Sequence, residues 1–230
     1  VTRPKLARNI SYGRWNNKAR VYEVPNLGAL PSVTSVIGMM DKPALVSWAG
    51  NQAAEYAIDN RDALNQLDPD AAKDAVKGSW RRNRDRAANF GTAVHEAIES
   101  GTMPPDDDER AGYVRGSIRA LNDLGVDVDA QELTLVSVQH GYAGTADVVG
   151  GSLNGKVILD WKSGKGLYDS AALQLVSLME CDHYYDEETG ELVPLPKFDV
   201  GYAVRLTPTR WYHESIERES ELGETTFEAF

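Results

Sequence analysis

A chain of 230 residues with 42% hydrophobic content can bury a sizeable core, as one elaborated domain or as a core with a helical attachment. No apolar run approaches the ~20 residues that span a bilayer, and a net charge of −11 argues against a protein that coats nucleic acid without discrimination. The single cysteine, Cys181, excludes an internal disulfide and a four-cysteine iron–sulfur cluster; with no signal peptide visible, a reducing cytoplasm is the natural compartment.

Residues 1–32 read as irregular, with a short hairpin around Arg14-Trp15 and residues 20–24. Val1 in first place implies that an initiator methionine or a tag has been lost. Arg3, Lys5, Arg8, Arg14, Lys18 and Arg20 stand against Glu23 alone in the first forty residues. Residues 31–37 predict a short helix ending near Asp41, and Asp41-Lys42-Pro43 predicts a restart, with Asp as cap and Pro in the first turn. Leu45, Trp48, Ala49, Ala53, Tyr56 and Ala57 give that helix an apolar stripe. Asp68-Pro69 predicts another helix, running towards Ser100 with Gly78 as a point of interruption and Gly101 as its stop. It carries a basic run, Lys77, Arg81, Arg82, Arg84 and Arg86. Further on, Phe90, Val94, Ala97 and Ile98 form a stripe for burial, with His95 beside it and Glu99 one turn away.

Pro104-Pro105 breaks the chain, and residues 106–124 predict an amphipathic helix with acidic residues at its positive end. Residues 132–138 predict the first core strand, in which Glu132 either approaches a site from the strand end or stands exposed. Residues 141–165, GYAGTADVVGGSLNGKVILDWKSGK, are the stretch around which the rest is organised. They predict a β-hairpin closed at Asn154-Gly155, a dipeptide suited to a type I′ turn. In the simplest register Val149 faces Asp160 and Asp147 faces Lys162, so Asp147, Asp160 and Lys162 converge on one face of the sheet. A bulge at Gly150-Gly151 would shift the register without dispersing the group.

Carboxylate oxygens are hard ligands for Mg²⁺ or Mn²⁺. A lysine beside a bound water can orient it, take up its proton or stabilise charge on a phosphate. The bland alternative is a surface Asp–Lys pair. Against it, residues 157–161 are too apolar for a solvated strand, and a polar pair ending a buried run needs partners. Beyond Lys162, residues 163–166 predict a turn into a helix over 169–181, and residues 186–196 an exposed hairpin or loop. Residues 198–206 and 210–216 predict two closing antiparallel strands. Residues 224–228 resemble a helix start, which implies that the natural chain continues past Phe230. His140, His183 and His213 read as structural.

GTADVV at 144–149, VILDWKSGK at 157–165 and an alanine-rich helix with Gln174 resemble the core of the PD-(D/E)XK nucleases. More narrowly they resemble the RecB-type branch and the small exonucleases of bacteriophage recombination systems. In that branch a GxxD element, here Gly144-Thr145-Ala146-Asp147, precedes D-x-K, here Asp160-Trp161-Lys162. A histidine on an upstream helix completes the metal site, and Gly91-Thr92-Ala93-Val94-His95 fits that element. The resemblance covers residues 91–178 well and the later strands more loosely. Each motif is weak alone; their order and spacing are specific.

The resemblance implies an α/β fold, a restriction-endonuclease-like mixed β-sheet flanked by helices. Residues 79–230 would be the nuclease core, and residues 1–78 an N-terminal helical and irregular region capping the groove. It also implies that His95, Asp147, Asp160 and the Trp161 backbone carbonyl hold one or two Mg²⁺ or Mn²⁺ ions. Lys162 would position the attacking water, Glu96 and Glu99 would steady the imidazole, and Gln174 would match the glutamine of a QxxxY element that positions DNA. Leu178 stands where that tyrosine would be, which puts a contact there in doubt; Tyr168 is a substitute. Arg81, Arg82, Arg84, Lys165, Tyr168 and Gln174 are the candidate DNA contacts, although for any single arginine a solvated helix face is the better explanation.

The implied function is a metal-dependent DNA exonuclease of phage recombination, replication or repair, without an iron–sulfur cluster, in the host cytoplasm. DNA is the partner, with room for a phage recombinase or single-strand-binding protein and none for a membrane. Two alternatives stay open. An endonuclease, structure-specific or nonspecific, would share every catalytic residue. A non-catalytic DNA- or partner-binding module would be expected to have lost at least one of them.

Overall fold

The computed structural model describes residues 15–16, 19–40 and 43–218. Arg3, Lys5, Arg8, Arg14, Lys18, the Asp41 cap and the helix start at 224–228 lie outside the described residues. The chain divides into two compact units, residues 40–93 and residues 1–39 with 94–230.

The larger unit opens with an antiparallel sheet of three short strands, β1 (Trp15–Asn16), β2 (Val21–Val24) and β3 (Gly28–Pro31). Ser32 then caps α1 (Val33–Ile37), its Oγ accepting the Ser35 N–H at 3.0 Å. The smaller unit holds α2 (Pro43–Asp59), α3 (Arg61–Leu64) and most of α4 (Pro69–Glu99). Asp68 starts α4 by accepting the N–H groups of Asp70 and Ala71, each at 3.1 Å. The helix runs through Gly78 without the expected interruption, because one interior glycine costs only about 1 kcal/mol against alanine. It stops at Gly101, whose φ is +63°.

The next helix, α5 (Ala111–Asp123), starts later than residue 106. The Asp108 carboxylate accepts both the N–H and the guanidinium of Arg110, which holds the preceding residues in turns. Six elements then follow: β4 (Asp127–Ser137), β5 (Tyr142–Ser152), β6 (Gly155–Lys162), α6 (Asp169–Met179) and the hairpin of β7 (His183–Asp186) with β8 (Glu191–Pro194). The strands β9 (Val200–Leu206) and β10 (Trp211–Glu217) finish the described chain. Together these strands make a seven-stranded sheet in the order β10-β9-β6-β5-β4-β7-β8. It is mixed and mostly antiparallel, β6 and β9 being its parallel pair. A parallel pair requires a long crossover, and α6 with the β7–β8 hairpin supplies it.

Val157, Ile158 and Leu159 of β6 are wholly buried, which is why this central strand shows a continuous apolar run and no alternation. Leu173, Val176, Leu178 and Met179 of α6 share one core with Ile158 and Ala203 of the sheet and with Val33 and Ile37 of α1. Among the described residues no helix is long and apolar enough to cross a membrane.

The hairpin forms, in a different register from the expected one. Ser152 pairs with Gly155 and Val149 with Ile158, so Leu153-Asn154 forms the loop and Gly155 begins β6. Gly155 carries a positive φ, +107°, directly after the loop, and a Cβ there would also collide with Asp199 Oδ2, which accepts the Lys156 N–H. Irregular pairing falls on β4, between Val128 and Ala130, and not at Gly150-Gly151.

Candidate metal centre

Strand pleating puts residues an even number apart on the same face. Yet Ala130 and Leu133 of β4, and Ala146 and Val149 of β5, enter the same core although the members of each pair are three positions apart. The break contains Glu132 and Asp147, which the flanking pairs Gln131–Val148 and Leu133–Ala146 set opposite each other. Glu132 has a φ of +49°, a left-handed conformation that costs a side-chain-bearing residue roughly 1–2 kcal/mol. The β5–β6 pairing ends at the same level, at Val148–Leu159. Beyond it Asp147 Oδ2 accepts the Trp161 N–H at 2.6 Å. Asp147 and Asp160 therefore come together because the ladder opens between them, and not through the alternation expected from sequence.

On α4, Val94, Ala97 and Ile98 are buried and anchor the end of the helix. His95 lies 3.1 Å through Nε2 from the Trp161 carbonyl oxygen and 3.5 Å through Nδ1 from Asp147 Oδ1. One donor atom each from His95, Glu132 and Asp147 falls within 4.8 Å of the others, a cluster capable of coordinating a metal ion. Burial pushes the imidazole pKa down, but the charge and hydrogen bond of Asp147, then Asp160 and Glu132, more than offset it and raise it to about 9. Burial, then Asp147, raises the Glu132 carboxyl to about 8 against the pull of His95. A protonated carboxyl beside a cationic ring marks a place where negative charge is crowded and a cation is favoured. Two carboxylates, an imidazole and an adjacent carbonyl are an oxygen-rich donor set that suits Mg²⁺ or Mn²⁺.

A second group adjoins the first. Asp160 is 2% exposed, and its Oδ1 accepts from Gln174 Nε2 at 2.9 Å. Gln174 Oε1 in turn accepts from Lys162 Nζ at 3.0 Å. Lys162 Nζ lies 2.5 Å from Asp160 Oδ2, an ionic contact off the angle of a hydrogen bond, so that oxygen is buried without a directed donor. Burial raises the Asp160 carboxyl, opposed by Lys162 and assisted by Asp147. For Lys162, burial would lower the pKa, yet Asp160 and Asp147 outweigh it and the ammonium is held charged.

His95, Asp147, Asp160, Trp161, Lys162 and Gln174 thus meet. Glu132 joins them from mid-strand at 6% exposure, replacing the expectation of a strand-end or exposed glutamate. The available signal was an acid inside an apolar strand. The partners of the His95 ring are Asp147 and Trp161, not Glu96 or Glu99. Leu178 is buried in the core, beside a cavity of ≈ 250 Å³ lined by Tyr22, Thr34, Thr145 and Gln174. Lys165 is exposed in the turn before α6, and Tyr168 stands 67% exposed at the helix start. In the smaller unit the guanidinium groups of Arg81 and Arg84 lie 5.4 and 5.3 Å from the centroid of the Trp80 ring. Arg82 lies 5.1 Å from that of Tyr56.

No family model matches the sequence, and no curated protein matches it. A solved structure, the crystal structure of SSO0001, aligns with 86% of this chain and 82% of its own at 14% identity, with a TM-score of 0.29.

Proposed function

We propose that this chain is a divalent-metal-dependent deoxyribonuclease of the PD-(D/E)XK type, RecB-like, that hydrolyses DNA phosphodiester bonds from an end in the cytoplasm of a phage host. The observation that carries the reading is the meeting of Glu132, Asp147 and Asp160 from three neighbouring strands, beside His95 and a half-buried Lys162–Gln174 pair.

His95, Glu132 and Asp147 would hold the ion, with Asp160 and the Trp161 carbonyl at its side. A Mg²⁺ or Mn²⁺ ion there would lower the pKa of bound water and neutralise charge on the phosphate. Lys162, held charged by Asp160 and Asp147, keeps its proton, so it serves as a donor that orients the attacking water and a phosphate oxygen. Gln174 fixes both groups: its amide donates to Asp160 and its carbonyl accepts from Lys162, the one orientation that satisfies both. Asp147 also holds the Trp161 N–H, which steadies the residue whose carbonyl meets His95. Action from an end is taken from the resemblance of the GxxD and D-x-K elements to those of the phage exonucleases.

Digestion of 5′- and 3′-end-labelled single and double strands with Mg²⁺, Mn²⁺ or no metal tests the reading. Cleavage that needs the metal and spares a covalently closed circle is expected. Cutting of the circle would make the enzyme an endonuclease. No cleavage of any substrate, together with no Mn²⁺ binding by calorimetry, would overturn the proposal.

A further inference from the structure

The smaller unit contains a groove of ≈ 610 Å³ between α2 and α4. Its apolar lining is formed by small residues, Ala49, Gly50 and Ala53 from α2 and Gly78 from α4, together with the indole of Trp80. Lys77, Arg81 and Asp74 supply its charge. Gly50 is the informative residue. A glycine inside a helix costs about 1 kcal/mol against alanine, usually because a neighbouring element packs too closely for a Cβ. Here a Cβ on Gly50 would meet nothing within 4 Å. At Gly78 a Cβ would meet only the movable tip of the Arg82 side chain, at 2.7 Å. Gly50 is exposed at the groove, so a larger side chain at this position has room to fill it.

We infer that this groove receives an unpaired base of a DNA single strand, stacked against Trp80, while Lys77 and Arg81 hold its flanking phosphates. The inference rests on the reading that the chain acts on DNA. Charge complementarity selects the occupant. Five cations, Lys77, Arg81, Arg82, Arg84 and Arg86, stand within ten positions of α4 against one acid, Asp85, which pairs with Arg84 at 2.7 Å. The Arg81 and Arg84 guanidinium groups lie over the Trp80 ring, so a base that stacks on the indole displaces the Arg81 side chain, which is exposed and free to turn to the flanking phosphate. A base in a duplex is stacked on both faces and cannot enter a side groove, so the site discriminates for unpaired DNA.

Fluorescence anisotropy on the full chain in EDTA, with a labelled oligothymidylate and with a labelled duplex, reads binding apart from cleavage. Gly50→Leu fills the groove, and it suits a helix better than glycine does, so circular dichroism should show an intact fold. It is expected to weaken single-strand binding by about tenfold, the loss of one stacked base, and duplex binding less than twofold. Arg81→Gln should flatten the salt dependence of single-strand binding by about 0.7 in log–log slope. Unchanged single-strand binding by Gly50→Leu overturns the inference, and so does an equal loss on both substrates. Digestion of the same preparations separates the two claims. Metal-dependent cleavage with single-strand binding insensitive to Gly50→Leu removes the groove and leaves the nuclease. Groove-sensitive binding without cleavage under any metal removes the nuclease and leaves the groove.

Discussion

In the larger unit Leu133, Leu135, Ile158 and Leu159 are wholly buried; among the described residues of 45–93, Ser79 alone is buried. The two regions treat charge accordingly. Glu132 and Asp160 are buried in the sheet, where neighbouring charges shift their proton affinity. Arg81, Arg82 and Arg84 stand in water on a helix surface. Buried charge makes chemistry that depends on every member of the group, whereas exposed charge makes attraction that adds contact by contact and yields to salt.

Substitutions at the buried group should therefore have the largest effects. Asp160→Asn and Lys162→Ala are each expected to lower the DNA cleavage rate about a thousandfold. Asp160→Asn should also weaken Mn²⁺ binding in calorimetry. Lys162→Ala should not, since losing a nearby cation cannot disfavour another. A variant that keeps a tenth of the wild-type rate would break the contrast between the regions. Stability should divide the same way. Ile158→Ala is expected to cost about 2–5 kcal/mol in urea denaturation, and Val46→Ala, at a site 75% exposed, less than about 0.5 kcal/mol.

Protons sharpen the comparison. Without metal, His95 is raised to about 9 from 6.5, and Glu132 to about 8 from 4.5, so both carry a proton at pH 7. For each, the folded form binds the proton more tightly than the unfolded form does. The stability tied to these protons is full below the unfolded pKa and is lost as pH rises through the folded one, from about pH 4.5 to 8 for Glu132 and 6.5 to 9 for His95. Metal must displace both protons. Calorimetry in two buffers of different ionisation enthalpy should show release of about two protons per ion near pH 7, with affinity rising from pH 6 to 9. The smallest effect belongs to the exposed set. Arg81→Glu, Arg82→Glu and Arg84→Glu together should leave kcat unchanged at saturating DNA and lower the salt slope of binding by roughly 2–3.

The parts of the site legible in sequence were those that interrupt a local pattern. Asp160 and Lys162 break an apolar strand, and Gln174 lies on the helix that follows. The hairpin was legible as an element and not in its register, because Leu153 and Asn154 make the loop without positive φ and the left-handed angle falls on Gly155 directly after it. Glu132 was legible as a candidate beside the site, but its mid-strand place and its direction were not, for two physical reasons. Its neighbour in space is set by the order of strands, and its direction by one backbone angle of the left-handed kind. The late start of α5 likewise depends on the Asp108–Arg110 pair, which competes with the helix for the same residues.

The left-handed backbone at Glu132 has a consequence for anyone who engineers this protein. Glycine adopts that angle freely, and Glu132→Gly would remove both the backbone penalty and a crowded carboxyl. The metal-free variant should melt higher than the parent, and the parent should overtake it as Mn²⁺ is titrated in, since a ligand that binds only the folded form stabilises it by mass action. A screen for heat resistance run in chelator would select against the metal centre, and its improved clones would mark the site more plainly than a loss-of-function screen.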